Sequence, residues 1–264
     1  MPSFHLVSLL IWLPLFIASI SQGSAQPGSP ETPVSSKTWV GHYREVEEYL
    51  RTAECTLIDL RKNSPSGPST MRCTLRPGGP VARFGWKTSP NGASRGFRER
   101  YTAEIAAYEV DKLLKLEMVP PTVERVLEGH TGAGTMWVEG AVGLQDQTVR
   151  APDAARWQAQ LARMAMFDAL IGNGARNRAN TLRDPVWNLI LIDHSRAFGP
   201  ATEPVPDLSN IDQELWARIE GLTREQLDTA LGAWLDKEQI SAILERRESM
   251  KAAIGRRAAM GRRP

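Results

Sequence analysis

Apolar and polar positions along this chain fall into two rhythms, one in each half. Residues 53–60, 70–75 and 81–87 are strand-like runs. They are separated by a small, flexible loop (62–69) and by the turn Pro77-Gly78-Gly79-Pro80, so they predict a meander. A helix over 42–51 precedes them. After a loop at 88–95, a helix is predicted from Phe97 to Leu116, because Ile105, Tyr108, Val110, Leu113, Leu114 and Leu116 recur near helical spacing. Pro120-Pro121 ends it, and two further strands are read at 122–127 and 135–138, with a turn at 128–134 between them.

Beyond Gly140 the rhythm becomes helical. Residues 151–169 are amphipathic, with Trp157, Leu161, Met164 and Phe167 as the expected buried stripe. Residues 211–257 read as three helices. Thr223 followed by Glu225 and Gln226, and Asp236 followed by Gln239, mark two of their starts. Between these helical stretches the pattern breaks at Gly172-Asn173-Gly174, passes a basic turn (175–180), turns again at Arg183-Asp184-Pro185 and enters a strand at 187–192. Two short strands joined by a tight turn place Asn180 and Asp193 side by side at one end of a hairpin. The expected fold class is α+β, two-lobed, with a β-meander small lobe (38–140) and a mostly helical large lobe (141–264).

Composition changes this picture little at the core and more at the start of the chain. Of 264 residues 42% are hydrophobic, and 32 basic against 30 acidic side chains leave a net charge of +2, which argues against nucleic-acid binding. The basic tail Arg256, Arg257, Arg262 and Arg263 reads as a solvated helix end. An apolar run at 6–20, broken by Pro14 and followed by small residues at 21–25, predicts a signal peptide over 1–25, although no Lys or Arg precedes it. The alternative is an uncleaved membrane anchor, for which the run is short of the ~20 residues a span needs. Residues 26–37 read as a Pro/Ser-rich disordered leader. The expectation is an exported, periplasmic or extracellular monomer that touches a membrane only if the segment stays uncleaved. In an oxidising compartment, a strand register centred on Ser64 would face Cys55 with Cys73 and allow a disulfide. Two buried free thiols are the alternative.

The chemistry rests on an ordered set of side chains. Lys87 ends the third strand, Glu104 lies in the helix that follows, and Asn180 and Asp193 flank the hairpin. Alone, each is ordinary: a surface lysine, a solvated glutamate, a loop asparagine, a turn aspartate. Two lookalikes fall away. Residues 79–88 lack the Gly-Lys pair of a phosphate loop because Trp86 intervenes. His42, His130 and His194 share no metal-ligand spacing.

Residues 51–54, 84–87, 103–108, 119–123, 136–140, 167–173 and 193–199 together resemble the atypical kinase-like proteins related to the secretory-pathway casein kinases. More distantly they resemble HipA-type and phosphoinositide-kinase-like folds. Bacterial exported proteins with phrases like 50–54 and 192–198 are similar. The resemblance implies a protein-kinase-like fold that binds ATP with Mg²⁺ or Mn²⁺. Lys87 would contact the phosphates, and Glu104 would pair with it or reach metal through water. Trp137 and Val138 would offer hinge backbone to adenine, Asn180 and Asp193 would hold the metal, and Arg176 would sit in the catalytic loop near phosphate. One departure matters most. The pattern places an aspartate before that arginine, and here the position is Ala175. Loss of a general base, typically worth ~10²–10⁴-fold, implies a catalytically impaired pseudokinase. The glycine loop is also weak, because residues 64–68 contain only Gly67. The alternatives are an active phosphotransferase with a substitute base, acting on a protein or small molecule, and a nucleotide-free remnant.

Overall fold

A computed structural model describes residues 33–61, 70–88, 92–94, 97–146, 150–200, 208 and 210–260. The stretches read as a signal peptide (1–25) and as a weak glycine loop (64–68), and most of the Pro-rich stretch 200–206, lie outside the described residues.

Helix α1 (Tyr43–Thr52) leads into β1 (Cys55–Arg61), β2 (Thr70–Leu75) and β3 (Arg83–Lys87). These join β6 (Thr122–Leu127) and β7 (His130–Met136) in an antiparallel sheet of order β1-β2-β3-β7-β6. In β3 the alternation is clean. Phe84 and Trp86 are fully buried on one face, which turns Lys87 toward the other. Trp39, Val46, Leu50, Cys73, Leu75 and Met136 complete this core.

A second core is built by α2 (Tyr101–Leu114), α3 (Ala154–Ile171), α4 (Gln213–Glu220), α5 (Arg224–Leu231) and α6 (Lys237–Met260). Thr223 and Gln226 form a reciprocal capping box at the start of α5, and Asp236 and Gln239 exchange bonds at the start of α6, as the helix-start signals predict. Between the cores lies the hairpin of β9 (Thr181–Arg183) and β10 (Leu189–Leu191). Leu189 and Leu191 enter the helical core, and Ile190 enters the sheet core. The result is an α+β fold with a sheet lobe and a helical lobe.

Five expectations need correction. The helix after β3 starts at Tyr101 rather than Phe97, because β5 (Phe97–Glu99) pairs with β4 (Gly92–Ser94) in a small hairpin. The strand expected at 135–138 begins at His130. A two-residue turn with Glu128 at φ 51° and Gly129 at φ 76° suffices to reverse the chain, so the Gly-rich run 130–134 becomes ladder. Its glycines make room for neighbours: a Cβ on Gly132 would lie 2.6 Å from the Lys87 carbonyl and 2.9 Å from the Trp86 ring. Gly132→Val is therefore expected to destabilise by about 1–3 kcal/mol through overpacking, read as a lowered urea midpoint. An unchanged midpoint would mean that the two strands part without cost.

Cys55 does not face Cys73. The strands pair about a point between residues 65 and 66 rather than about Ser64, so Ile58 opposes Cys73, and past a bulge between Cys55 and Leu57 Cys55 opposes Leu75. The two sulfurs are nevertheless bonded, with the Cα atoms 5.7 Å apart. The strand expected at 187–192 shortens to β10, because Trp187 (φ 65°) belongs to a turn organised by Asp184, whose Oδ1 accepts from the amides of Val186 and Asn188. A third strand, β8 (Val142–Gly143), also pairs with β9.

Finally, the end of the stretch read as a disordered leader is pinned. The Ser35 hydroxyl and the Ser36 amide both donate to Asp184 Oδ2 at 3.0 Å. Asn188 donates to Ser35 Oγ, and Lys37 Nζ donates to the Glu117 carbonyl at 2.5 Å. Residues 35–37 thus strap the β9–β10 turn to the connection after α2.

Candidate functional site

Three elements bring Lys87, Glu104 and Asp193 together. β3 delivers Lys87 on the face away from Trp86. Glu104 lies in the first turn of α2, where the helix dipole favours a carboxylate. Asp193 follows β10 in a left-handed conformation (φ 62°). Lys87 Nζ donates to Glu104 Oε1 at 3.1 Å, to Asp193 Oδ1 at 2.6 Å and to Ser195 Oγ at 3.4 Å. The positive φ at Asp193 also aims the His194 amide at Glu104 Oε2, 2.7 Å away.

Burial and charge act against each other here. Burial alone would lower the Lys87 pKa, but the charges of Glu104 and Asp193 outweigh it and raise it. Burial raises Glu104, and Lys87 only partly offsets this. Burial would raise Asp193 too, yet the charge and hydrogen bond of Lys87 hold it below the usual carboxylate range. His194 is buried, and together with the neighbouring Arg176 charge this pushes its pKa well down, so the imidazole is neutral. Arginine can only donate, so His194 Nε2, 2.9 Å from Arg176 Nη2, is the acceptor and the proton sits on Nδ1.

Two more contacts bolt the segment after Asp193 to the start of α2. The Arg100 amide donates to the Ser195 carbonyl at 2.9 Å, and Arg196 donates twice to Glu99 Oε1. The Arg100 side chain reaches on to the carbonyls of Ala197 and Phe198.

Arg176, expected in the catalytic loop near phosphate or product, is bonded to the protein itself. Its Nε and Nη2 bind Asp168 at 2.8 and 3.0 Å, its Nη1 binds the carbonyls of Asn180 and Ile192, and Nη2 also meets His194. These bonds engage all three of its nitrogens, so it braces the loop on which Asn180 sits. Asp168, the nearest carboxylate in sequence to Ala175, is consumed by this brace and by Asn173 Nδ2 at 2.9 Å. Asn177 shapes the same loop by accepting the amides of Ala179 and Asn180.

At the expected hinge, the Trp137 amide is not available to a ligand, because it donates to the Arg83 carbonyl at 2.9 Å. The Val138 carbonyl accepts from Ala141. Two guanidiniums, those of Arg72 and Arg83, lie 5.7 and 5.3 Å from the Trp137 ring centroid.

Asn180 and Asp193 end up adjacent, as the hairpin predicts: the Ile192 amide donates to the Asn180 carbonyl at 3.2 Å. Among the described residues, neither the Asn180 carboxamide nor Asp193 Oδ2 has a protein hydrogen-bond partner. No cluster of three or more His, Cys, Asp or Glu residues suited to a metal occurs among the described residues. An amide oxygen and one carboxylate oxygen fit a hard cation that keeps water and phosphate as its other ligands.

The fold resembles those of solved kinases. The Golgi casein kinase with Mn/ADP bound superposes at a TM-score of 0.59 and 15% identity, covering 80% of this chain and 75% of that one. The hydra Fam20 structure with sugar gives 0.59 and 15%, covering 81% and 88%. The Helicobacter pylori proinflammatory kinase CtkA gives 0.51 and 10%, covering 79% and 98%. The fold is kinase-like. No protein-family profile matches the chain, and no curated protein matches its sequence. Within this fold, β3 and α2 bring Lys87 and Glu104 together, and the β9–β10 hairpin is flanked by Asn180 and Asp193.

Sequence reasoning missed three contributors to this site. Ser195 was an unremarked neighbour of Asp193, Glu99 was placed inside a helix, and Arg100 carries no motif. The one signal available was their position immediately beside Asp193 and ahead of Glu104.

Proposed function

We propose that this chain binds ATP with Mg²⁺ or Mn²⁺ between its lobes and is an exported pseudokinase with impaired phosphoryl transfer. The observation that carries the reading is Lys87 shared between Glu104 and Asp193, a lysine from the sheet lobe held where nucleotide phosphates and metal meet in kinases. Asn180 and Asp193 Oδ2 are the groups for the metal, whose charge would offset that of the phosphates. A bound manganese and ADP belong to the Golgi casein kinase, and they support the same ligand class here. With the Trp137 amide spent, the Trp137 carbonyl and the Val138 amide are the hinge groups for a purine edge.

The impairment follows from Ala175 and from Asp168. A methyl group accepts no proton, and Asp168, tied to Arg176 and Asn173, is not placed to take over as base. This disfavours the active-enzyme reading. Export is supported by the Cys55–Cys73 bond and the apolar 6–20 run, and no helix among the described residues is long and apolar enough to cross a membrane.

Thermal melting of the purified protein tests the reading. Mg-ATP or Mn-ATP at ~100 times its dissociation constant should stabilise by about 2.7 kcal/mol, a rise of roughly 5–10 °C at this size. Asp193→Ala should abolish the shift, and Ala175→Asp should raise ATP turnover above that of the native chain. Absence of any shift would refute nucleotide binding. Equal turnover with Asp at position 175 would refute the assignment of the impairment to Ala175.

A further inference from the structure

We infer that Ser195 is a positioning residue for the metal, holding the Asp193 carboxylate in its ligating orientation; this rests on the nucleotide–metal reading above. The Ser195 hydroxyl donates to Asp193 Oδ1 at 3.2 Å and accepts from Lys87 Nζ at 3.4 Å, so a chain of donors runs from the ammonium through the hydroxyl to the carboxylate. Its freedom is small. The residue is 2% exposed, and its carbonyl is fixed by the Arg100 amide at 2.9 Å.

Asp193 Oδ1 therefore has two donors, Lys87 and Ser195, while Oδ2 has no protein partner among the described residues. The two donors differ in what a nucleotide does to them. Lys87 is a flexible ammonium that anionic phosphates would draw away from Asp193. Ser195 carries no charge and is held by its backbone. Once phosphates engage the lysine, the serine hydroxyl is the donor that stays on Oδ1, and it keeps Oδ2 turned to the metal. Ser195 thus matters more in the loaded state than in the empty one, and its effect falls on metal rather than on nucleotide.

Partners that orient a metal ligand typically change metal affinity by ~10–100-fold when removed. The test is titration of Mn²⁺ into protein saturated with ADP, followed by the Mn²⁺ electron paramagnetic resonance signal, for the native chain, Ser195→Ala and Ser195→Thr. ADP affinity in EDTA and the melting temperature without ligand are measured alongside. The alanine variant should bind Mn²⁺ roughly 10-fold or more weakly, with metal-free ADP affinity and melting unchanged, and threonine should restore Mn²⁺ binding. Native Mn²⁺ affinity in the alanine variant would overturn the role of Ser195 and leave the nucleotide reading intact. Parallel loss of metal-free ADP affinity or of melting temperature would overturn it too, by showing a general structural role. If the native chain itself bound neither ADP nor Mn²⁺, the nucleotide reading and this role would fall together.

Discussion

Replacing Lys87 by methionine is expected to cost the fold about 3 kcal/mol at pH 7.5 and distinctly less at pH 5. Removing one partner of a buried ion pair typically costs ~3–5 kcal/mol, because the other charge is left in low dielectric. The low end applies here, since the Glu104 side chain is 9% exposed but Asp193 is 40% exposed and partly screened by water. In the native chain the Asp193 pKa is lowered, so its contribution is present above about pH 4 and lost as pH falls through its folded value. The Lys87 pKa is raised, so its contribution holds below about pH 10 and is lost above its folded value. Without the lysine, Glu104, already raised by burial, rises further. A carboxylate with a raised folded pKa supports the fold while protonated and opposes it as pH climbs through that value. The variant should therefore recover toward acid. Urea denaturation at the two pH values measures this, and an equal deficit at both would show that Lys87 compensates no buried charge.

A second large effect is expected at Asp111, near the C-terminal end of α2. This fully buried carboxylate caps the turn after α2. Oδ1 accepts the amides of Met118 and Val119 at 2.9 and 3.0 Å, and Oδ2 accepts that of Glu117 at 3.1 Å. Asp111→Ala strands three amides, at about 1–3 kcal/mol for each that water cannot reach, so a loss of about 4 kcal/mol is expected. Asp111→Asn keeps the two Oδ1 bonds and should cost less. Burial pushes the Asp111 pKa up to about 7, against the backbone bonds and Lys37, which pull it down. Its contribution is then complete below about pH 4 and lost as pH rises through about 7. Native stability should fall from pH 6 to pH 8, while Asp111→Asn should stay flatter. Parallel curves for the two proteins would contradict the assignment.

The sites of these two effects were not equally legible. Lys87 could be read because Phe84 and Trp86 alternate with it in a five-residue strand, and a period of two leaves little choice of face. Asn180 and Asp193 could be read because a tight hairpin must bring its two flanks together. Asp111 could not, since its partners are backbone amides, and amides carry no sequence signal. The same holds for Arg176. Its place beside the loop was evident, but the direction of its side chain depends on two carbonyls, His194 and Asp168 converging on it. The strand at 130–136 was hidden because His130, Gly132, Ala133 and Gly134 have little strand preference. Of these, Gly132 is required to clear Trp86 and the Lys87 carbonyl on the neighbouring strand. The disulfide pairing was anticipated, whereas its register was not, since an eight-residue stretch between the two strands leaves the point about which they pair open, and it falls between residues 65 and 66 rather than at Ser64.

The strap at residues 35–37 gives the chain a mechanical polarity. Its bonds from Ser35 and Ser36 converge on one carboxylate, Asp184, in the turn of the hairpin whose other end carries Asn180 and Asp193. Trp39, a few residues on, is locked in the sheet core. A pull on the chain ahead of Ser35 is thus borne first by the hairpin turn and the Lys37–Glu117 contact, and only afterwards by the sheet. Tension applied at that end would be felt at the two candidate metal ligands before it strained the lobe that carries Lys87.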